Sequence, residues 1–163
     1  MTRPIRLLKR KLKWILVALV VGFALFQLTN PPRTNPPVLS DLMAVSAPPP
    51  QVAAMLHAAC YDCHSSETRW PWYSHVAPMS WLIAGDVQEG RGHLNLSDWP
   101  DDSERAIKRL EDMSDEIGSG EMPLKKYTNI HADARLTESQ RKELTDWLDE
   151  EAAKLKTSVP PQK

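Results

Sequence analysis

Two cysteines and a histidine lie close together in the order Cys60-Tyr61-Asp62-Cys63-His64. Two thiols at this spacing can each add to one vinyl group of a haem, and a histidine directly after the second thiol places an imidazole where it can bind the iron. The spacing therefore predicts that one haem c per chain is attached through Cys60 and Cys63, with His64 as the proximal axial iron ligand.

The same cysteine pair is compatible with three other kinds of site. A structural zinc site needs four ligands, and the chain has only two cysteines, so that histidines would have to complete it: His57, His75, His93 or His131. A redox dithiol normally lies in a thioredoxin-like βαβ unit, and no alternating strand pattern flanks the pair. A disulfide would close a very small loop. Haem attachment is the favoured interpretation, because the five-residue motif is specific for it in an exported protein.

The second axial ligand determines what such a haem does. Met122 lies in Gly120-Glu121-Met122-Pro123-Leu124, a predicted loop before the C-terminal helix. Thioether ligation raises the reduction potential and fills the coordination sphere, which suits electron transfer. The sequence favours Met122 as the distal ligand, although methionines more often fill gaps in a core. The alternative ligands are Met79, His75, His93 and His131.

The N-terminal segment predicts export of the rest of the chain. Residues 1–13 carry six Lys and Arg side chains and no acidic one, and an apolar run from Trp14 to Leu28 follows. This pattern is typical of a cytoplasmic N-terminus followed by a membrane anchor, predicted over residues 14–29. A cleaved signal peptide is the alternative, but no small-x-small cleavage site follows the run. Both readings place the remainder outside the inner membrane, on the periplasmic side, and the anchor makes the protein single-pass.

The charge is distributed unevenly along the chain. The formal net charge of −1 combines about +7 over residues 1–33 with about −8 over the remainder. An acidic exported part argues against a nucleic-acid partner, which would require a basic surface. It is compatible with docking to a basic patch on a redox partner protein, and equally with simple solubility.

The chain beyond the anchor divides by composition into three parts. Residues 30–50 contain seven prolines, which predicts an extended tether without regular helix. Residues 51–156 are about the size of one small domain. Residues 157–163 are expected to form a frayed tail.

Apolar periodicity predicts that the domain is all-α. The first helix carries Val52, Leu56 and Ala59 and runs into the cysteines, and a second begins near Pro78 and ends around Gly90 to Gly92 with Trp81, Leu82 and Val87. A third follows Asp101 to Ser103 and stops at Gly118 and Gly120, with a stripe of Ala106, Ile107, Leu110, Met113 and Ile117. The fourth begins with a capping box, Thr137-x-x-Gln140, and buries Leu144, Trp147, Leu148 and Leu155.

The order of helix, cysteine motif, Met-Pro loop and C-terminal helix resembles the class I cytochrome c plan over about 100 residues. More closely, the run from Cys60 to Tyr73, Gly90-Arg91-Gly92-His93-Leu94-Asn95 and Glu121-Met122-Pro123-Leu124 resemble the bacterial haem-binding domain family. The resemblance implies a small cytochrome c-like helical domain around one haem. The long aromatic insert after the motif departs from ordinary cytochromes c.

The insert and two arginines predict further haem contacts. Trp70 and Trp72 could pack against the porphyrin, and Arg69 and Arg91 could pair with its propionates. His93 could bond a propionate or face the iron. The ordinary alternative is that the tryptophans are core residues and the arginines are solvated.

Two functions from different classes follow. The first is a membrane-anchored electron carrier with a single six-coordinate haem, which is not itself an enzyme. The alternative is a haem sensor or a peroxidase-type enzyme, in which an open or displaceable sixth position binds a diatomic gas or peroxide.

Overall fold

The computed structural model describes residues 3–158, and these residues fall into two compact units. One unit contains the chain up to Arg33 together with Trp70–Gly85, and the other contains Thr34–Arg69 together with the chain from Asp86 onward. The described residues are helical apart from loops and one isolated bridge between Ser40 and Asp98. The predicted all-α class is therefore confirmed over this part of the chain.

The first unit is built on a long apolar helix. Helix α1 covers Arg3–Phe26 and continues into a 3-10 turn, Gln27–Thr29. The stretch Leu8–Thr29 is long and apolar enough to cross a membrane. Its 22 residues extend about 33 Å, compared with roughly 30 Å of hydrocarbon, and they include the predicted anchor, residues 14–29. A second 3-10 turn, Trp72–His75, also belongs to this unit.

The second unit contains most of the helices. The helices are α2 (Leu42–Ser46), α3 (Pro50–Ala59), α4 (Tyr61–His64), the second half of α5 (Met79–His93), α6 (Ser103–Ser119), α7 (Lys125–Thr128) and α8 (Glu138–Ser158). Helices α6 and α8 pack along each other, and α3 packs against α8. The core between them is apolar and includes Val52, Leu56, Leu110, Leu144, Trp147 and Leu148.

Local sequence signals explain where these helices begin and end. The Asp102 side chain accepts a hydrogen bond from the Arg105 N–H at 2.9 Å and caps α6, and Gly120 ends it with a positive φ of 83°. Thr137 and Gln140 form the predicted capping box, with N···O distances of 2.9 and 3.2 Å. The predicted first, third and fourth helices are thus confirmed.

Helix α5 begins close to the predicted position and ends at His93. Of the three apolar residues assigned to it, only Val87 is buried, whereas Trp81 and Leu82 are exposed. Helix α8 runs through Ser158, so Thr157 and Ser158 of the predicted tail are helical. Residues 159–163 of that tail, and residues 1 and 2 of the predicted cytoplasmic segment, lie outside the described residues.

The predicted tether is partly wrong. Its second half contains α2, whose Leu42 is fully buried in the core. The backbone N–H groups of Leu39 and Leu42 donate to the carbonyls of Ser97 and Leu96, both at 2.9 Å, and the Trp99 N–H donates to the Ser40 carbonyl at 2.8 Å. Because these bonds fix the segment to the domain, it does not act as a free spacer from Leu39 onward.

Candidate functional site

The cysteine motif forms a short helical turn directly after α3. The Cys60 N–H donates to the Leu56 carbonyl, and the N–H groups of Cys63 and His64 both donate to the Cys60 carbonyl, at 3.2 and 2.9 Å. These bonds continue the helical path of α3 into α4. Three chemically active side chains are therefore held on one rigid turn, which we call the attachment turn (Cys60–His64).

Both thiols of the attachment turn are free and partly buried. Burial raises the pKa of Cys60 to about 12, with a smaller contribution from Cys63. Burial also raises the pKa of Cys63 to about 11, assisted by the nearby carboxylates of Asp86 and Asp62. Both groups are therefore protonated thiols at neutral pH.

The imidazole of His64 is oriented by two backbone carbonyls. Its Nδ1 lies 3.0 Å from the Gly90 oxygen and 3.1 Å from the Leu94 oxygen. Because both partners can only accept, Nδ1 must carry the proton, and Nε2 carries the lone pair. Burial lowers the pKa of His64 despite these two hydrogen bonds, so the ring is neutral. A neutral imidazole with Nδ1 held by a carbonyl is the form that binds a metal through Nε2.

Gly90 allows α5 to approach the attachment turn closely. A Cβ at this position would lie 2.7 Å from the Cys63 carbonyl oxygen and 3.3 Å from the Cys63 Cβ. Contacts this short do not occur in well-packed proteins, and the atom in the way belongs to the backbone. Only glycine lets the Gly90 carbonyl reach the His64 ring in this arrangement. The glycine marks this close approach in the sequence, but the sequence does not identify Cys63 as the residue it approaches.

Asp62, inside the motif, was not recognised from the sequence. Its buried carboxylate accepts bonds from the Arg69 N–H at 2.9 Å, from the Arg69 guanidinium at 3.2 and 3.0 Å, and from the Tyr127 hydroxyl at 2.8 Å. Burial alone would raise the pKa of Asp62, but the bonds from Arg69 and Tyr127 outweigh it and the pKa is lowered. Asp62 therefore links the attachment turn to the following loop and to α7.

The two arginines predicted to bind propionates are both engaged within the protein. Arg69 pairs with Asp62, as described above, although its side chain is largely exposed. Arg91 donates to the Ser65 and Thr34 carbonyls at 2.7 and 2.9 Å, and its remaining nitrogen donates to Asn35 and Thr68. Both guanidinium groups thus hold loops of this unit together.

The other predicted ligands are placed as follows. Met122 lies in the loop after α6, partly buried against the core, with its N–H bonded to the Glu116 carbonyl at 3.0 Å and its own carbonyl bonded to Arg141 at 3.1 Å. His93 is the last residue of α5 and is exposed. Met79, Trp70 and Trp72 belong to the unit that contains α1, not to the unit that contains the attachment turn.

The donor set fits a covalently held haem. Two protonated thiols stand three positions apart beside a neutral imidazole whose Nε2 carries the lone pair. Among the described residues, no group of three or more His, Cys, Asp and Glu side chains is arranged to hold a metal ion, as a zinc site would require. Fold and site together define a helical protein with a haem-type donor set and an apolar N-terminal helix.

The chain belongs to the haem-binding domain family, whose family model matches residues 20–150. The matched range includes the attachment turn, all of α5 and the Met122 loop. No curated protein and no solved structure matches the chain.

Proposed function

We propose that this chain is a membrane-anchored periplasmic c-type cytochrome that carries single electrons to or from a redox partner protein. Residues 1–13 would lie in the cytoplasm, α1 would cross the inner membrane once, and the domain with the attachment turn would lie on the exported side. The observation that carries the proposal is the pair of carbonyls that fixes the neutral His64 ring beside two free thiols.

Each residue of the attachment turn has one role in this proposal. The thiols of Cys60 and Cys63 would each add across one vinyl group: sulfur bonds to one carbon and the thiol hydrogen to the other, the S–H bond and the C=C π bond break, and no oxidant is consumed. Nε2 of His64 would bind the iron, and the carbonyls of Gly90 and Leu94 would increase the donor strength of that nitrogen. A haem c bound there supplies one-electron redox chemistry at its iron.

Met122 is the proposed second axial ligand. Its backbone is held on both sides, by the Glu116 carbonyl and by Arg141, which limits the positions that the side chain can sample. The loop that contains Met122 lies within residues 20–150, which the family model matches. A six-coordinate iron of this kind discourages external ligands and favours electron transfer over catalysis.

The attachment claim is tested by comparing the wild type with Cys60→Ala/Cys63→Ala. Both are produced in a host with a haem-ligation system, denatured, and extracted with acidic organic solvent. We expect the pigment to stay with the wild-type polypeptide and to be absent from the double variant. Cys60→Ala alone is the control, because one remaining thioether bond should still retain haem, with a shifted pyridine haemochrome band. If all wild-type pigment leaves with the solvent, the attachment claim is wrong.

The carrier claim is tested by the far-red sulfur-to-iron band of the oxidised protein. We expect this band in the wild type, its loss in Met122→Ala and its retention in Met79→Ala, which changes the alternative methionine. Rapid carbon monoxide binding to the untreated reduced wild type would contradict the carrier and support a gas or peroxide binder instead.

A further inference from the structure

We propose that the segment Trp72–Leu82 docks into the lipid headgroup region of the leaflet at the C-terminal end of α1, so that the protein is held at the membrane surface as well as by its span. This inference rests on the proposed membrane anchor, but not on the identity of the iron ligands. It gives the exposed tryptophans of this segment, Trp72 and Trp81, a contact with lipid.

Three hydrogen bonds tie this segment to the end of the candidate span. The Ala77 N–H donates to the Gln27 side-chain oxygen at 2.8 Å. Asn30 donates through its side chain to the His75 carbonyl at 3.1 Å, and its side-chain oxygen accepts from the Ser80 hydroxyl at 2.6 Å. Gln27 lies near the last residue of the candidate span, Thr29, and Asn30 follows it directly. The segment is therefore held next to the residues at which the candidate span would leave the hydrocarbon.

The side chains that the segment exposes are those that membrane interfaces accept. Trp72 is 78% exposed, Trp81 50% and Leu82 59%, and Val76 and Met79 are exposed beside them. Tryptophan is enriched at the headgroup level because its ring is apolar while its N–H can still donate a hydrogen bond. Exposed apolar groups concentrated in one short segment indicate an interaction surface rather than scattered surface residues.

The charge pattern favours lipid as the occupant. Trp70–Gly85 contains no Asp, Glu, Lys or Arg, although the chain after Arg33 is otherwise rich in charge and acidic. A segment without these groups can enter the headgroup region without the cost of desolvating a charge. Each headgroup region is only about 5–7 Å thick, so a segment bonded to Gln27 and Asn30 cannot lie far from it if α1 spans the bilayer.

The test uses the full chain labelled with 5-fluorotryptophan in lipid nanodiscs. The nanodiscs contain phosphatidylethanolamine and phosphatidylglycerol, with or without a lipid that carries a nitroxide near its glycerol backbone. Fluorine NMR peak intensities are compared between the two samples, so that broadening by the haem cancels in the ratio. The single variants Trp14→Phe, Trp72→Phe, Trp81→Phe, Trp99→Phe and Trp147→Phe assign the five resonances that are compared, by removing one each.

We expect the nitroxide lipid to remove most of the intensity of Trp72 and Trp81, as it does for Trp14 within the span. Trp99 and Trp147 are buried in the core of the other unit and should keep most of theirs, which makes them internal controls. If Trp14 is broadened while Trp72 and Trp81 are not, the anchor stands and the docking proposal is wrong. If Trp14 is not broadened either, both the anchor and the docking fail, whereas covalent haem would still be tested independently by extraction.

Discussion

The attachment turn and the segment Trp72–Leu82 differ in how their side chains are held. In the attachment turn, polar atoms are directed by fixed partners, such as the carbonyls on His64 Nδ1 and the donors on Asp62. In the segment Trp72–Leu82, the backbone is fixed by Gln27 and Asn30 while large apolar side chains remain exposed. The first arrangement is built to orient a few atoms, and the second to present an apolar surface.

This difference bears on the role of the tryptophans that follow the cysteine motif. Closeness in sequence suggested that the tryptophans after His64 contact the porphyrin. Trp72 and Trp81 are exposed, as the membrane contact proposed above requires. If the comparison is right, small changes in the attachment turn should be costly, and large changes in the insert should cost little stability.

Among substitutions in the two regions compared and their direct contacts, Gly90→Ala should have the largest effect, because its added methyl group would overlap the Cys63 carbonyl oxygen. Relief requires α5 to move away from the attachment turn, and overpacking of this kind typically costs about 1–3 kcal/mol. The same movement would lengthen the hydrogen bond from His64 Nδ1 to the Gly90 carbonyl. Denaturant unfolding followed by circular dichroism in detergent would measure the loss of stability.

Gly92→Ala is the matched control on the same helix, because a Cβ there has no heavy atom within 4 Å. It should be neutral or stabilising by about 0.5–1 kcal/mol, since alanine is the better helix residue. Equal losses for the two variants would show that α5 does not depend on a close approach at Gly90.

Asp62→Asn should have the next largest effect. It removes a buried carboxylate that accepts bonds from Arg69 and Tyr127, and hydrogen bonds to charged groups are worth about 1.5–3 kcal/mol, with the lower end expected because Arg69 is largely exposed. The pKa of Asp62 is lowered in the folded protein, so its contribution is present above the unfolded pKa of about 3.9 and is lost as the pH falls through the folded value.

The pH dependence of the free energy of unfolding tests how much of the acid sensitivity comes from Asp62. Stability measured between pH 7 and pH 2 should fall less steeply in Asp62→Asn than in the wild type. Tyr127→Phe is the control, since it removes one hydrogen bond to Asp62 at a cost of about 1 kcal/mol but leaves the carboxylate in place. An unchanged acid profile in Asp62→Asn would mean that this group does not carry the acid sensitivity.

Much of the fold could be predicted because it depends on local signals. Helices α3, α6 and α8 follow from apolar spacing, and the end of α6 at Gly120 and the start of α8 at Thr137 follow from residues with specific backbone preferences. The packing of α2 could not be predicted in this way. It depends on backbone hydrogen bonds to Leu96 and Ser97. Backbone groups are the same in every residue, so these bonds leave no apolar periodicity in the sequence of either segment.

The candidate site divides in the same way. Cys60, Cys63 and His64 could be recognised because the chemistry requires those residue types in that order. The groups that orient His64 are backbone carbonyls, which every residue has, so only Gly90 left a trace in the sequence. Arg69 and Arg91 were assigned to propionates by their charge alone, and the structure shows protein partners for both.

The smallest effect on stability is expected from Trp72→Ala/Trp81→Ala in detergent. Both side chains are at least half exposed, and surface substitutions usually change the free energy of unfolding by no more than about 0.5 kcal/mol. Trp99→Ala applies the same chemical change to a buried core residue, where it should cost about 3–5 kcal/mol. Denaturant unfolding of the three proteins measures both values under one condition. A loss of stability in the double variant as large as that in Trp99→Ala would mean that the two exposed tryptophans stabilise the fold. The proposed difference between the attachment turn and the segment Trp72–Leu82 would then be wrong.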